Sequence, residues 1–175
     1  ATHRDERDEA RALLAEAKKI VDAVRADLTT YPDLYHAGYT QDALKEFAEA
    51  NIVLALVADE PLPEPEALGV EYAAYLNGLG EAASEMRRRC LDIIRNDHSA
   101  EAERLLDAMD EIYNMLVTVD YPDAITGGLR RTTDLVRGVT ERTRGDLPIS
   151  LRQQRLQEAL RIYGGPVGYI RGTEK

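Results

Sequence analysis

Two pairs of glutamates are the residues of this chain best placed to do chemistry. Acidic pairs at helical spacing are common in a sequence with 32 Asp and Glu among 175 residues, since chance supplies about six at each of the two spacings that align on a helix. Position therefore has to decide. Glu46 and Glu49 lie i,i+3, immediately before the apolar segment 51–58, and their stripe runs on through Val53 and Leu56. Glu81 and Glu85 lie i,i+4, and their stripe runs back through Gly78 and Ala74, both small. A glycine inside a helix costs roughly 1 kcal/mol against alanine. One common return for that cost, at Gly78 and Gly80, is the close approach of a second helix. If the two segments pack there, four carboxylates converge, repel and raise one another's pKa. A divalent cation removes that penalty, and an all-oxygen ligand set suits Mg2+ or Mn2+ better than Zn2+. Residue types and spacing leave the opposite arrangement open, in which all four glutamates face water.

The surrounding residues narrow the chemistry further. Arg87, Arg88 and Arg89 follow Glu85 directly and read either as guanidinium groups turned to a phosphate backbone or as an exposed, solubilising face. Arg130, Arg131, Arg137, Arg142 and Arg144 form a second basic stretch with the same two readings. His36, in Asp33-Leu-Tyr-His36, reads as an ordinary turn histidine, and His98 lies in a polar loop. A ferritin-like di-metal site needs Glu-x-x-His pairs, and the sequence has none. Walker, Gly-x-Ser-x-Gly and zinc-deaminase signatures are absent as well. The single cysteine, Cys90, excludes an internal disulfide and a Cys-rich zinc site, and reads as a small buried residue.

The elements that must position these groups are helical throughout, with no convincing period-2 strand. A first helix is expected over about 5–28, with Leu13, Ala17, Ile20, Val21, Val24 and Leu28 as its apolar stripe. Thr40 is read as the N-cap of a second helix reaching position 59, whose half over 51–58 is apolar on every side and so expected to be buried all round. Pro61, Pro63 and Pro65 make a linker. A long helix is expected over about 71–95, with Tyr72, Leu76, Leu79, Ala83, Met86, Cys90 and Ile94 turned inward. Ser99 is read as the cap of the next helix, to about 118. Pro122 suits a helix start, Gly127-Gly128 interrupt it, and the continuation is expected to stop at Gly145-Asp-Leu-Pro148 before a last helix over about 150–163. Residues 164–175 lack periodicity and are expected to form a mobile tail behind a single domain over 1–163.

Composition sets the outer bounds. Hydrophobic residues at 44% and charged residues at 31% describe a globular chain. The longest apolar run, 52–58, is too short to span a bilayer. The start of the chain does not resemble a signal peptide, so a cytoplasmic protein is expected. A net charge of −10 argues against nonspecific clinging to nucleic acid, though not against RNA binding at a locally basic or metal-bearing surface.

The glutamate blocks also resemble the translin superfamily, on its catalytic translin-associated factor X side. Leu44-Lys-Glu-Phe-Ala-Glu-Ala50 is similar to that family's Leu-Gln-Glu-Tyr-x-Glu-Ala stretch, which places Glu46 and Glu49 on its two catalytic glutamates. The run Tyr75-Leu-Asn-Gly-Leu-Gly-Glu-Ala-Ala-Ser-Glu-Met-Arg-Arg-Arg-Cys90 resembles its Tyr-Leu-Leu-Gly-Val-Ala-Asp-Leu-Thr-Gly-Glu-Leu-Met-Arg-Met-Cys segment. Glu81 then matches a catalytic Asp and Glu85 a Glu. The resemblance spans about 31–146; Tyr31-Pro32…His36 looks more like translin itself, which lacks glutamates matching Glu46 and Glu49. It implies an all-α bundle of about seven helices in a closed, hollow octamer, here a homo-oligomer. It further implies Mg2+ or Mn2+ held by Glu46, Glu49, Glu81 and Glu85, cleaving single-stranded RNA inside. A non-catalytic, translin-like binder of single-stranded RNA or DNA is the alternative, and a plain helical oligomerisation protein a third reading.

Overall fold

The computed structural model describes residues 2–94 and 99–163, and the described residues are helix and connecting turn with no strand. Five long helices carry the structure: α1 (Thr2–Asp27), α3 (Gly38–Ala58), α5 (Tyr72–Ile94), α6 (Ser99–Val117) and α8 (Leu129–Tyr163). Three single turns join them: α2 (Pro32–Tyr35), α4 (Pro65–Leu68) and α7 (Asp123–Thr126). A 3-10 turn, Leu28–Thr30, follows α1. α5 is the central element, packed against α3, α6 and α8, while α1 lies on the outer side of α3. Its inward residues Leu79, Met86 and Cys90 are fully buried against Ile52, Leu105, Met109 and Val136 from the neighbouring helices. No helix among the described residues is long and apolar enough to cross a membrane.

The two glycines of α5 have the role their cost suggested. A Cβ on Gly78 would lie 2.8 Å from the Lys45 carbonyl oxygen and 3.0 Å from the Glu49 backbone nitrogen. Only a bare glycine lets α3 come this near. On the other side of α5, a Cβ on Gly80 would collide with the Thr132 side chain of α8. Asn77 ties the same junction, donating to the Thr126 carbonyl at 2.8 Å and accepting from Thr132 Oγ1 at 2.6 Å. Between α7 and α8, Gly127 and Gly128 take φ of +63° and +83°, the left-handed backbone that side chains resist.

Several local expectations need correction. Thr40 is the third residue of α3 and not its cap; Ala37 precedes the helix in extended conformation, and the Thr40 hydroxyl donates back to the Leu34 carbonyl at 2.7 Å. The half of α3 over 51–58 is buried at Ile52, Ala55 and Leu56 only, because just one side of it meets α5. On α1, Val21 is buried, whereas Leu13 and Ile20 point away from α3 and are exposed; Tyr72 on α5 is exposed too. The largest difference is at Pro148, where α8 runs on without a break. Proline lacks a backbone donor and crowds the preceding turn, but the turn before it is anchored. Leu147 and Thr143 are buried, Asp146 pairs with Arg87 and Arg144 with Asp110. The cap expected of Ser99 and the tail over 164–175 lie outside the described side chains.

Gly78→Ala should lower stability by about 1–3 kcal/mol, the usual scale of overpacking. Gly145, inside α8 with open space around its Cα, should show the opposite sign on replacement by alanine, gaining about 0.5–1 kcal/mol. Thermal melts of both variants check the pair; an unchanged Gly78→Ala protein would contradict the tight approach of α3 and α5.

Candidate metal centre

Because α3 and α5 nearly touch at Gly78, the carboxylates one turn away on each helix are forced together. Glu46 and Glu49 come from α3 and Glu81 from α5, and each offers one oxygen within 4.8 Å of the other two. Glu49 and Glu81 are half-buried, the Glu81 side chain 44% exposed, and Glu46 is the exposed member at 65%. Burial and the negative charges of Glu81 and Glu46 push the Glu49 carboxyl up to about 7, with a smaller contribution from Glu85. Burial is the largest cause, and the like charges confined beside it add to the effect. Three oxygen donors converging in this way can hold a hard divalent cation, so the residues fit Mg2+ or Mn2+.

The other expected residues divide. Glu85 is not among the three converging carboxylates; it sits near enough to be felt by Glu49, but its own carboxylate accepts from Arg88 at 2.9 Å. Arg87 turns to α8, donating to Asp146 at 2.8 Å and to Thr143 Oγ1 at 3.2 Å. Arg89 turns to α6 and pairs with Glu101 at 2.9 Å. Only Arg88, 77% exposed, stays on the side of the carboxylates. Cys90 is fully buried, with its thiol pushed up to about 11 by burial.

One residue at the centre was missed by the sequence reading. Lys45 Nζ donates to Glu81 at 2.8 Å and lies 3.5 Å from Glu46, with its side chain only 20% exposed. A lysine beside a glutamate pair looks like one more solvated charge in a sequence. Its only signal was adjacency to Glu46 on the helix that carries both α3 glutamates. Beyond Lys45 and Glu81 opens a cavity of about 690 Å³, also lined by His36, Asp42, Tyr72 and Ile125.

Comparison with known proteins places the fold. No protein-family model matches the chain. An uncharacterised protein of Methanocaldococcus jannaschii is 30% identical over 158 residues, which is 90% of this chain and 69% of that one. The structure of AfC3PO in complex with duplex RNA superposes with a TM-score of 0.77 at 33% identity, covering 85% of this chain and 76% of that one. The crystal structure of AfC3PO gives 0.77 at 31% identity, over 89% and 80%. Apo-NeC3PO gives 0.75 at 21% identity over 84% and 76%, a likeness of fold alone. The chain belongs to the translin superfamily, as a protein of the C3PO type.

Glu49 gives the site a measurable pH dependence. The folded protein keeps its proton up to about pH 7, whereas the unfolded chain releases it near the ordinary carboxyl value of 4.5. Between those values the folded state binds more protons, so this group makes stability fall as pH rises. With divalent metal chelated, Glu49→Gln and wild-type melting temperatures should lie closest near pH 4.5 and separate towards pH 7, the glutamine variant higher. A gap that does not widen over that window would mean that burial and neighbouring charge do not raise the proton affinity of Glu49.

Proposed function

We propose that this protein is a metal-dependent endoribonuclease acting on single-stranded RNA, working as a hollow homo-oligomer, an octamer on the pattern its family resemblance implies. The observation that carries the reading is the convergence of Glu46, Glu49 and Glu81, one oxygen from each within 4.8 Å of the others, at the helix contact Gly78 permits. Bound there, Mg2+ or Mn2+ supplies a polarised phosphate and an activated water. The protein's own residues do the rest. Glu46, Glu49 and Glu81 would hold the ion, and Glu85, which the family resemblance adds as a fourth acidic ligand, would have to leave Arg88 to join them. Without the ion, burial and its acidic neighbours raise the proton affinity of Glu49; a bound divalent cation would lower it again, so ion and proton compete for this carboxylate. Arg88 is the guanidinium placed to meet the phosphate backbone.

The AfC3PO structure in complex with duplex RNA supports RNA as the ligand class. Assembly is supported by Ile149, Leu156 and Leu160, 60–65% exposed and spaced i, i+7, i+11 along one face of α8, a stripe of apolar side chains that a single chain leaves in water.

Each of Glu46→Gln, Glu49→Gln, Glu81→Gln and Glu85→Gln should reduce Mg2+-dependent cleavage of a labelled single strand by roughly a hundredfold or more, at least the scale on which lesions around metal sites act. Glutamine keeps the size and removes the charge, so fold and assembled mass should hold, and double variants should be little worse than single ones. Near-normal cleavage by any two single variants would return the cluster to an ordinary solvated face. Binding of single strands without any cleavage by wild type, with or without metal, would favour the non-catalytic binder.

A further inference from the structure

We propose that the ammonium of Lys45 is a built-in counter-ion of the carboxylate cluster, against which the divalent cation binds, so that Lys45 sets the metal affinity of the centre. The inference rests on the metal reading above and goes beyond it. Lys45 Nζ lies between two of the three converging carboxylates, 2.8 Å from Glu81 and 3.5 Å from Glu46. The remaining acidic group on its own helix, Asp42, borders the same cavity and adds a further, weaker attraction for the ammonium. The placement is fixed by packing: the Lys45 carbonyl lies against Gly78, and the buried Leu44 and Ala48 hold this stretch of α3 to the core shared with α5. With the stem mostly buried, the ammonium has few alternatives to the carboxylates in front of it.

Two consequences follow from charge alone. Without metal, the ammonium offsets one of three mutually repelling negative charges, which makes a preformed cluster tolerable. With metal, the ammonium and a doubly positive ion would share the same carboxylates, and the repulsion between them would oppose binding. Lys45 thus holds the site together when empty and weakens it when filled, keeping the ion exchangeable.

Mn2+ titration of the metal-free assembled protein, followed by the electron paramagnetic resonance of free Mn2+, tests this without any nuclease assay. Lys45→Met and Lys45→Gln should each bind Mn2+ at least tenfold more tightly than wild type, while Lys45→Arg stays within about threefold, because it keeps the charge. The metal-free melting temperature of the two neutral variants should fall, and added Mn2+ should raise it by more degrees than in wild type. Glutamine keeps a hydrogen bond to Glu81, which guards against a folding defect in the methionine variant. Neutral variants that bind Mn2+ equally or more weakly would overturn the proposal. Tight binding by the neutral variants where wild type binds poorly would support it. Absence of Mn2+ uptake in every form would overturn the metal reading itself, and this inference with it.

Discussion

At Gly78 the backbones of α3 and α5 come close enough that a methyl group would strike a carbonyl oxygen and an amide nitrogen, and the rest of the structure is arranged around that contact. It fixes the separation of the two helices, and through the helical repeat it sets which side chains one turn away must meet. On α3 those are Lys45, Glu46 and Glu49; on α5 it is Glu81. On the opposite side of α5, Gly80 gives α8 the same freedom, with Asn77 fastening both the α7 turn and Thr132. A helix hemmed in on both sides by bare backbone has little rotational or sliding freedom. The two glycines thus convert a small loss of helix propensity into fixed positions for carboxylates.

Such a position is electrostatically adverse, which is why apolar packing has to enforce it. Like charges at this range separate if they can. They cannot here, because Leu79, Ala82, Ala83 and Met86 on α5 are wholly or almost wholly buried, and Leu44, Ala48 and Ile52 hold α3 to the same core. The strain is relieved locally and incompletely. Lys45 covers one side, Arg88 takes the charge of Glu85, and Glu49 absorbs the remainder by holding its proton more tightly. A site whose own residues leave it short of positive charge is complementary to a cation before any cation arrives.

How much of this the sequence held depends on the range over which each feature is decided. Helix existence and the meaning of Gly78 are local matters, visible in periodicity and in the oddity of glycine mid-helix, and the burial of Cys90 followed from its apolar neighbours. Features decided by distant partners were not visible. Pro148 reads as a stop until Asp146 and Arg144 are known to be tied to Arg87 and Asp110. The α1 stripe was read too wide because Leu13 and Ile20 fit an apolar helix face equally well; only the single contact with α3 selects Val21. Lys45 was missed for the same reason, since its partner Glu81 lies 36 residues away.

The arginine run after Glu85 shows what a central helix does to a basic motif. Consecutive residues on an α-helix are about 100° apart, so three arginines in a row cannot present one surface. Here each meets a different neighbour: Arg87 reaches α8, Arg89 reaches α6, and Arg88 is left beside Glu85. Two of the three positive charges are spent joining helices, and Arg88 and Lys45, the cations paired with these glutamates among the described residues, already face them. In a chain of net charge −10, that is too little to draw in a phosphate backbone unaided. On the proposed reading, attraction for a polyanion at this surface would come from a divalent ion among Glu46, Glu49 and Glu81, and metal binding and strand binding would then depend on the same converging carboxylates.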